Sequence, residues 1–214
     1  MKLSHPFSVA AITGVIAAIA SIFFHAGAQA KTSDRAAEPA YATAVFAGGC
    51  FWCVESDFDK LGGVIETISG YTGGTTVNPT YKTHSKQGHL EAVKVVYDPA
   101  LVTYDELVDY FIHHIDPTDA GGQFCDRGHS YTTAIFVSSP QERAVVESQF
   151  AAIRASNVLP GDLVTAIREP APFYAAEGYH QDYYLKNATR YNFYRKSCGR
   201  DRRVREVWAG EGNS

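Results

Sequence analysis

Two cysteines three residues apart are the side chains of this sequence best suited to do chemistry. They are Cys50 and Cys53 in "AVFAGGCFWCVESDFDKL", residues 44–61, and Phe51 and Trp52 separate them. The thiolate is the form of cysteine that attacks electrophiles, exchanges with disulfides and binds metals. A nucleophilic, a disulfide-exchanging and a metal-binding function are therefore all open at this point.

The residues around Cys50 predict that it lies at the start of a helix. Residues 43–47 favour a short strand, Gly48-Gly49 breaks it, and apolar residues then recur at helical spacing from about Cys50 to Leu61. Free backbone N–H groups and the positive end of the helix dipole favour a thiolate there. We therefore predict that Cys50 is the nucleophile and that Cys53, one turn further on, is less exposed.

The C-x-x-C spacing alone leaves several functions open. It is typical of thioredoxin-like thiol-disulfide oxidoreductases when it begins a helix. A metal site would need a second closely spaced ligand pair, and Cys125 and Cys198 are far apart in the sequence. A third possibility is a cysteine that acts on a substrate, with Phe51 and Trp52 forming an apolar pocket. A fourth is a non-enzymatic exported domain that is stabilised by disulfides.

The N-terminal residues predict export. Lys2 precedes an apolar run, residues 7–24, which ends near Ala28-Gln29-Ala30. A basic start, an apolar segment and an A-x-A end form a secretory signal, although the run is also long enough for an uncleaved anchor. We expect a signal peptide over 1–30 cleaved after Ala30, a linker over 31–42, one domain over 43–214, and a periplasmic location.

Composition excludes some partners of this domain. The chain has 214 residues and a net charge of −4, with no basic cluster that would favour nucleic acid or an anionic membrane surface. We expect a monomer whose membrane contact is confined to the N-terminal segment. Its length suits one domain with a sizeable core.

The elements that must position the cysteines mix strands and helices without strict alternation. Two capping boxes, Thr103 with Glu106 and Ser139 with Glu142, predict helix starts. This pattern predicts a single α+β domain with a mixed sheet and flanking helices. The predicted strands cover 43–47, 64–71, 90–97, 131–137 and 163–168, and the predicted helices cover about 50–61, 103–115, 139–157 and 176–186.

Six short motifs in a fixed order extend the interpretation beyond the cysteines. They are "GCFWCVE" (49–55), "SGYTGG" (69–74), "NPTY" (78–81), "GHLEAVKVVYDP" (88–99), "CDRGHSYTTAIF" (125–136) and "YHQDYY" (179–184). From about Ala44 to Trp208 the chain resembles the A-type peptide methionine sulfoxide reductases. The resemblance implies reduction of the S epimer of methionine sulfoxide. We expect a two-layer sandwich with a ferredoxin-like core and a long irregular C-terminal tail beyond Ser197.

The resemblance also implies roles for individual residues. Cys50 matches the catalytic cysteine, and Phe51 and Trp52 match the wall that holds the S-methyl group. Glu91 matches the acid that protonates the sulfoxide oxygen, and burial against aromatic side chains would raise its pKa enough for that role. Further matches are Tyr81 and Tyr131, as hydroxyls that bind the oxygen, and Asp126, as a second carboxylate near the pocket.

The resemblance places a resolving cysteine, which attacks the sulfenic acid of Cys50, at Cys198 in the tail. Cys53 occupies a position that many members fill with glycine and competes for this role. We expect Cys198 to attack first because its tail can move, and Cys125 to be an inert loop thiol. The resemblance implies a thioredoxin-like dithiol protein as reductant, and no metal or organic cofactor is expected.

Overall fold

The computed structural model of this chain describes residues 40–210. The predicted signal peptide, 1–30, and most of the predicted linker, 31–42, lie outside these residues, so both stay predictions. Between residues 40 and 210 no helix is long and apolar enough to cross a membrane.

The strands between residues 40 and 210 are β1 Ala42–Gly48, β2 Val64–Thr72, β3 Leu90–Tyr97, β4 Gly122–Gln123, β5 Asp126–Arg127, β6 Thr133–Phe136, β7 Ala166–Arg168 and β8 Phe173–Ala175. Six of them form one mixed sheet in the order β7-β6-β1-β3-β2-β8, and every neighbouring pair is antiparallel except β6 and β7. The prediction of an α+β domain with a mixed sheet is confirmed. β4 and β5, which lie between β3 and β6 in the sequence, form a separate antiparallel pair.

Helices flank the sheet, and two of them begin at the predicted caps. The Thr103 hydroxyl accepts from the Glu106 N–H at 3.2 Å, and the Glu106 carboxylate accepts from the Thr103 N–H at 2.8 Å, so the first capping box is complete. At the second, Ser139 accepts from Glu142, whose carboxylate binds the N–H of Ser138 instead. The helices are α1 Phe51–Phe58, α2 Tyr104–Ile112, α3 Pro140–Ser156, α4 Tyr183–Lys186, α5 Ala188–Ser197 and α6 Arg200–Val207.

An aromatic cluster fixes α1 and α2 against β1. Phe46 of β1 lies 4.9 Å, between ring centroids, from both Phe58 of α1 and Phe111 of α2. All three are at most 1% exposed. Burial of a side chain of this size stabilises a fold by about 1.5–3 kcal/mol, so this cluster holds the β1–α1 turn, which carries Cys50, in a defined place.

The expectation of an irregular tail beyond Ser197 is wrong. The chain turns at Gly199, whose φ of +68° favours glycine, and then forms α6. Val207 and Trp208 join the hydrophobic core, and the buried guanidinium of Arg200 donates to the carbonyl oxygens of Gly48 and His114 at 3.3 and 2.9 Å. The tail is ordered because it covers part of the core.

The helix predicted over 176–186 is also shorter than expected, because only α4 is helical there. Ala176 and Gln181, which precede α4, both bond to Ser69 of β2. Ala176 donates its N–H to the carbonyl of Ser69 at 2.9 Å, and the amide of Gln181 binds both backbone groups of Ser69 at 2.9 Å. These bonds hold the segment before α4 against β2.

Candidate active site

Cys50 lies at the start of α1, as the strand–turn–helix pattern predicts. It is the N-cap residue and is 6% exposed. Gly49 before it has a φ of +81°, and a Cβ there would lie 2.5 Å from the Cβ of Gln123. Only glycine fits this turn, which places the Cys50 sulfur at the junction of β1 and α1.

Glu91 of β3 faces the same turn. Its side chain is buried, and its Oε2 accepts the N–H of Phe51 at 3.0 Å. Burial raises the pKa of Glu91 to about 8, against the lowering effect of that hydrogen bond, and the charges of Asp126 and Cys53 add to the rise. A carboxyl with this pKa is mostly protonated at neutral pH and can act as an acid.

Cys50 and Glu91 open into one small pocket of about 70 Å³. The structure brings seven of the predicted residues together here: apart from the resolving thiols, every residue predicted to react or to form the wall lines this pocket. Larger surface hollows of 460, 470 and 580 Å³ lie elsewhere and have no cysteine in their lining. The pocket residues are Cys50, Phe51, Trp52, Tyr81, Glu91, Asp126, Tyr131 and Tyr194.

The aromatic wall of the pocket is held in place from the segment around α4. The indole N–H of Trp52 donates to Nδ1 of His180 at 3.1 Å, and the Trp52 ring stacks on Tyr183 with 3.8 Å between centroids. The His180 ring lies 5.0 Å from Phe51. His180 and Tyr183 therefore orient the apolar wall without lining the pocket.

Tyr81 and Tyr131 place two hydroxyl groups at the pocket. Burial, with the charge of Glu91, raises the pKa of Tyr81 to about 12 and also raises the pKa of Tyr131. Both hydroxyls therefore stay protonated in the neutral range. Neither hydroxyl bonds another protein group within residues 40–210, so both can donate to a ligand oxygen.

Tyr194 of α5 completes the pocket, and the sequence analysis did not find it. Its hydroxyl donates to Asp126 Oδ2, and its side chain packs against the buried cluster that holds Cys50 and Cys53. Burial raises the pKa of Asp126, and the hydrogen bond from Tyr194 and the charge of Arg200 oppose this rise. No local signal separates Tyr194 from the other tyrosines of the chain, because its role depends on how α5 packs over α1.

The thiols of Cys50 and Cys53 lie in one buried cluster, where each influences the pKa of the other. Cys53 is 2% exposed, so the prediction that it is less exposed than Cys50 is confirmed. The interaction with Cys50 lowers the pKa of Cys53, and the charges of Arg200 and Arg195 lower it further. Burial, followed by Cys53 and Glu91, raises the pKa of Cys50 well above its usual value.

These directions correct the expectation that the start of the helix makes Cys50 the more acidic thiol. The first N–H of α1, on Phe51, donates to Glu91 and not to the Cys50 sulfur. The neighbouring arginines favour negative charge on Cys53 instead. The Cys50 proton therefore has an acceptor one helical turn away.

Cys125 and Cys198 form a disulfide across 73 residues of sequence. The expectation that Cys125 is an inert loop thiol is therefore wrong, and Cys198 is not a free tail thiol in this structure. The bond joins the residue before Asp126 to the C-terminal cap of α5, one turn after Tyr194. In residues 40–210, Cys50 and Cys53 are the free thiols, and no group of three or more His, Cys, Asp or Glu could hold a metal.

Comparisons with known proteins give one family. The model of the family "Peptide methionine sulfoxide reductase" matches residues 42–212. "Peptide methionine sulfoxide reductase MsrA 2" of Rhizobium meliloti (strain 1021) is 52% identical over 81% of this chain and 86% of that protein. A relative with the same name from Caulobacter vibrioides is 47% identical over 84% and 91%. The solved methionine sulfoxide reductase A of Corynebacterium diphtheriae has a TM-score of 0.62 and 34% identity over 71% and 77%.

Proposed function

This chain belongs to the family of peptide methionine sulfoxide reductases, and we infer that it reduces the S epimer of methionine sulfoxide, free or in proteins, to methionine. The observation that carries the mechanism is that Cys50 and Glu91 line the same pocket. The hydrogen bond from the Phe51 N–H to Glu91 links the acid directly to the turn that holds Cys50. The pocket offers a sulfur, an acid, two free hydroxyls and an aromatic wall, which are the groups that this reduction needs.

We propose that the S-methyl group binds against Phe51 and Trp52 while the sulfoxide oxygen points to Glu91. The hydroxyls of Tyr81 and Tyr131 donate to that oxygen and stabilise the negative charge that builds on it. Because the pocket is only about 70 Å³, it suits the end of a side chain better than a larger group.

In the chemical step the Cys50 sulfur attacks the sulfoxide sulfur. The proton of Cys50 passes to Cys53, whose thiolate the arginines favour, and Glu91 gives its proton to the oxygen. The bond that the attack forms between the two sulfurs and the sulfur–oxygen bond of the substrate then break. The hydroxyl is transferred to the Cys50 sulfur, which becomes a sulfenic acid, and methionine leaves. The substrate sulfur gains two electrons and the Cys50 sulfur loses two.

We propose that Cys53 resolves this sulfenic acid, which differs from the expectation from sequence that Cys198 attacks first. Cys53 contacts Cys50, whereas the Cys198 sulfur is already bonded to Cys125. The Cys53 sulfur forms a bond with the Cys50 sulfur, and the oxygen leaves as water. A thioredoxin-like dithiol protein then restores both thiols by thiol–disulfide exchange, and the scheme needs no metal or organic cofactor.

The two epimers of methionine sulfoxide provide the test of this function. We expect residues 31–214 to turn over the S epimer with dithiothreitol and to leave the R epimer unchanged. A Cys50→Ser variant should turn over neither, because it retains the fold and the pocket but lacks the nucleophile. Methionine formation, followed by chromatography, measures both. Turnover of the R epimer alone, or of neither epimer by the unaltered protein, would contradict the proposal.

We further propose that the protein is exported to the periplasm and cleaved after Ala30. The basic start, the apolar run and the A-x-A end of residues 1–30 support this. We expect intact-protein mass spectrometry of the periplasmic fraction to find a chain that begins at Lys31. A full-length chain in the membrane fraction would indicate an uncleaved anchor.

A further inference from the structure

His84 is a buried histidine that neither the sequence motifs nor the mechanism above uses. It precedes the short 3₁₀ turn Ser85–Gln87, three residues after Tyr81, and is 3% exposed. Its ring stacks on Tyr71 with 4.7 Å between centroids. A histidine in this position needs a partner for each ring nitrogen, or one nitrogen remains unsatisfied.

The first ring nitrogen fixes the proton arrangement of His84. Nδ1 lies 2.9 Å from the carbonyl oxygen of Tyr81. A carbonyl can only accept, so Nδ1 carries the hydrogen. Burial lowers the pKa of His84, so the ring is neutral near pH 7 and Nε2 holds a lone pair.

The second ring nitrogen faces the acid of the proposed mechanism. Nε2 has no hydrogen-bond partner among residues 40–210 and lies 3.8 Å from Glu91 Oε1. Since Glu91 Oε2 already accepts the Phe51 N–H, Oε1 is the oxygen on which a proton is best placed. A shift of less than about 1 Å would bring Nε2 within hydrogen-bond range, and such bonds often tighten only when substrate is bound.

We propose that His84 is a positioning residue that acts through Glu91, with its Nε2 lone pair holding the proton on Oε1 until the sulfoxide oxygen takes it. The inference rests on the function proposed above. An acceptor that faces a carboxylic acid stabilises the protonated form, and an electron pair that faces a carboxylate destabilises the charged form. His84 therefore extends the pH range over which Glu91 can serve as an acid. It does not touch the substrate.

Other titratable groups lie around His84, and none replaces its Nε2 at Oε1. Glu177 accepts from the Tyr71 hydroxyl at 2.9 Å, and His89 bonds the 74–76 turn through both ring nitrogens. His180 is engaged with Trp52. The groups that face His84 are Glu91 on β3, Tyr71 on β2, Tyr81 and His89 in the segment between β2 and β3, and Glu177 and His180 in the segment before α4.

A His84→Asn variant separates the two ring nitrogens. The asparagine amide can still donate to the Tyr81 carbonyl in place of Nδ1, but it has no base in place of Nε2. We expect the high-pH limb of kcat to move to lower pH by about half to one pH unit. This makes the variant about fourfold less active than the unaltered enzyme near pH 8.5 and less than about twofold less active near pH 6.5. A His84→Phe variant, which keeps the stack on Tyr71, should shift the limb in the same direction.

A second readout does not depend on activity. The carboxylic C=O band of Glu91 in infrared difference spectra, assigned by its loss in Glu91→Gln, titrates with the pKa of Glu91, and we expect His84→Asn to lower that pKa. The proposal is wrong, and His84 is structural, if the high-pH limb of kcat and the titration of the Glu91 C=O band in His84→Asn both superimpose on those of the unaltered enzyme. It is also wrong if kcat of His84→Asn falls by the same factor at every pH. Failure of the proposed function would show differently, as no sulfoxide turnover by the unaltered enzyme.

Discussion

Glu91→Gln is expected to lower kcat for methionine sulfoxide by about 10²–10⁴-fold. Glutamine has nearly the same shape and can still accept the Phe51 N–H, but it cannot give a proton to the leaving oxygen. Substrate binding against Phe51 and Trp52 should persist, so we expect KM to change much less than kcat. Initial rates with the S epimer at saturating reductant measure both constants.

The pH dependence of the same two enzymes makes this prediction sharper. Burial raises the pKa of Glu91 to about 8, so the acid form is present below that pH and is lost as the pH rises through it. The unaltered enzyme should therefore lose kcat above about pH 8, and Glu91→Gln should lack this limb.

Glu55→Gln provides a matched control for Glu91→Gln. Glu55 on α1 is fully buried, and burial raises its pKa to about 7, yet it does not line the pocket. We expect Glu55→Gln to retain activity within about threefold, since substitutions away from the chemistry act mainly on stability. An equal loss in both variants, or full activity in Glu91→Gln, would contradict the role of Glu91.

Glu91→Gln also separates the reductase from a thioredoxin-like oxidoreductase. Disulfide exchange through Cys50 and Cys53 needs no acid at Glu91, so an oxidoreductase would keep its reduction of insulin disulfides in this variant. A reductase would instead lose sulfoxide turnover in the same variant, because its leaving oxygen needs the proton of Glu91.

Cys53→Ser is expected to stop the enzyme after one catalytic event. Without Cys53 the sulfenic acid of Cys50 has no neighbouring thiol to attack it, because the Cys198 sulfur is bonded to Cys125. With a thioredoxin-like protein as the only reductant, we expect a burst of about one methionine per enzyme and then almost no turnover. Rapid-quench measurement of methionine separates the burst from the steady state.

The control for Cys53→Ser removes the other disulfide. A variant with serine at both Cys125 and Cys198 should continue to turn over, because Cys50 and Cys53 remain in contact. Mass mapping of the unaltered enzyme after one equivalent of substrate should find a Cys50–Cys53 bond beside Cys125–Cys198. A Cys50–Cys198 bond with a free Cys125 thiol would show that the tail cysteine attacks first after all.

Features that depend on residues close together in sequence could be predicted without the structure. The predicted limits of β3 agree with the observed Leu90–Tyr97, because its alternating apolar residues and the Asp98-Pro99 stop are local. The Thr103 cap and the strand–glycine–helix turn at Cys50 follow from short-range hydrogen bonding and backbone freedom. The ordered motifs also indicated which residues meet at the pocket, although spacing alone could not show that they do.

The other features of the fold and of the site depend on tertiary structure and could not be predicted from the sequence. Which cysteines pair, whether the tail forms α6, and that Tyr194 reaches Asp126 depend on contacts between segments that are tens of residues apart. The sequence could suggest that burial would raise the pKa of Glu91, but the raised pKa of Cys50 required knowing that its sulfur is buried beside Cys53 and Glu91. Local patterns therefore determined the elements and the identity of the reacting groups. Only tertiary packing fixed their partners and proton affinities, because solvent exclusion and long-range contacts are not encoded in short stretches of sequence.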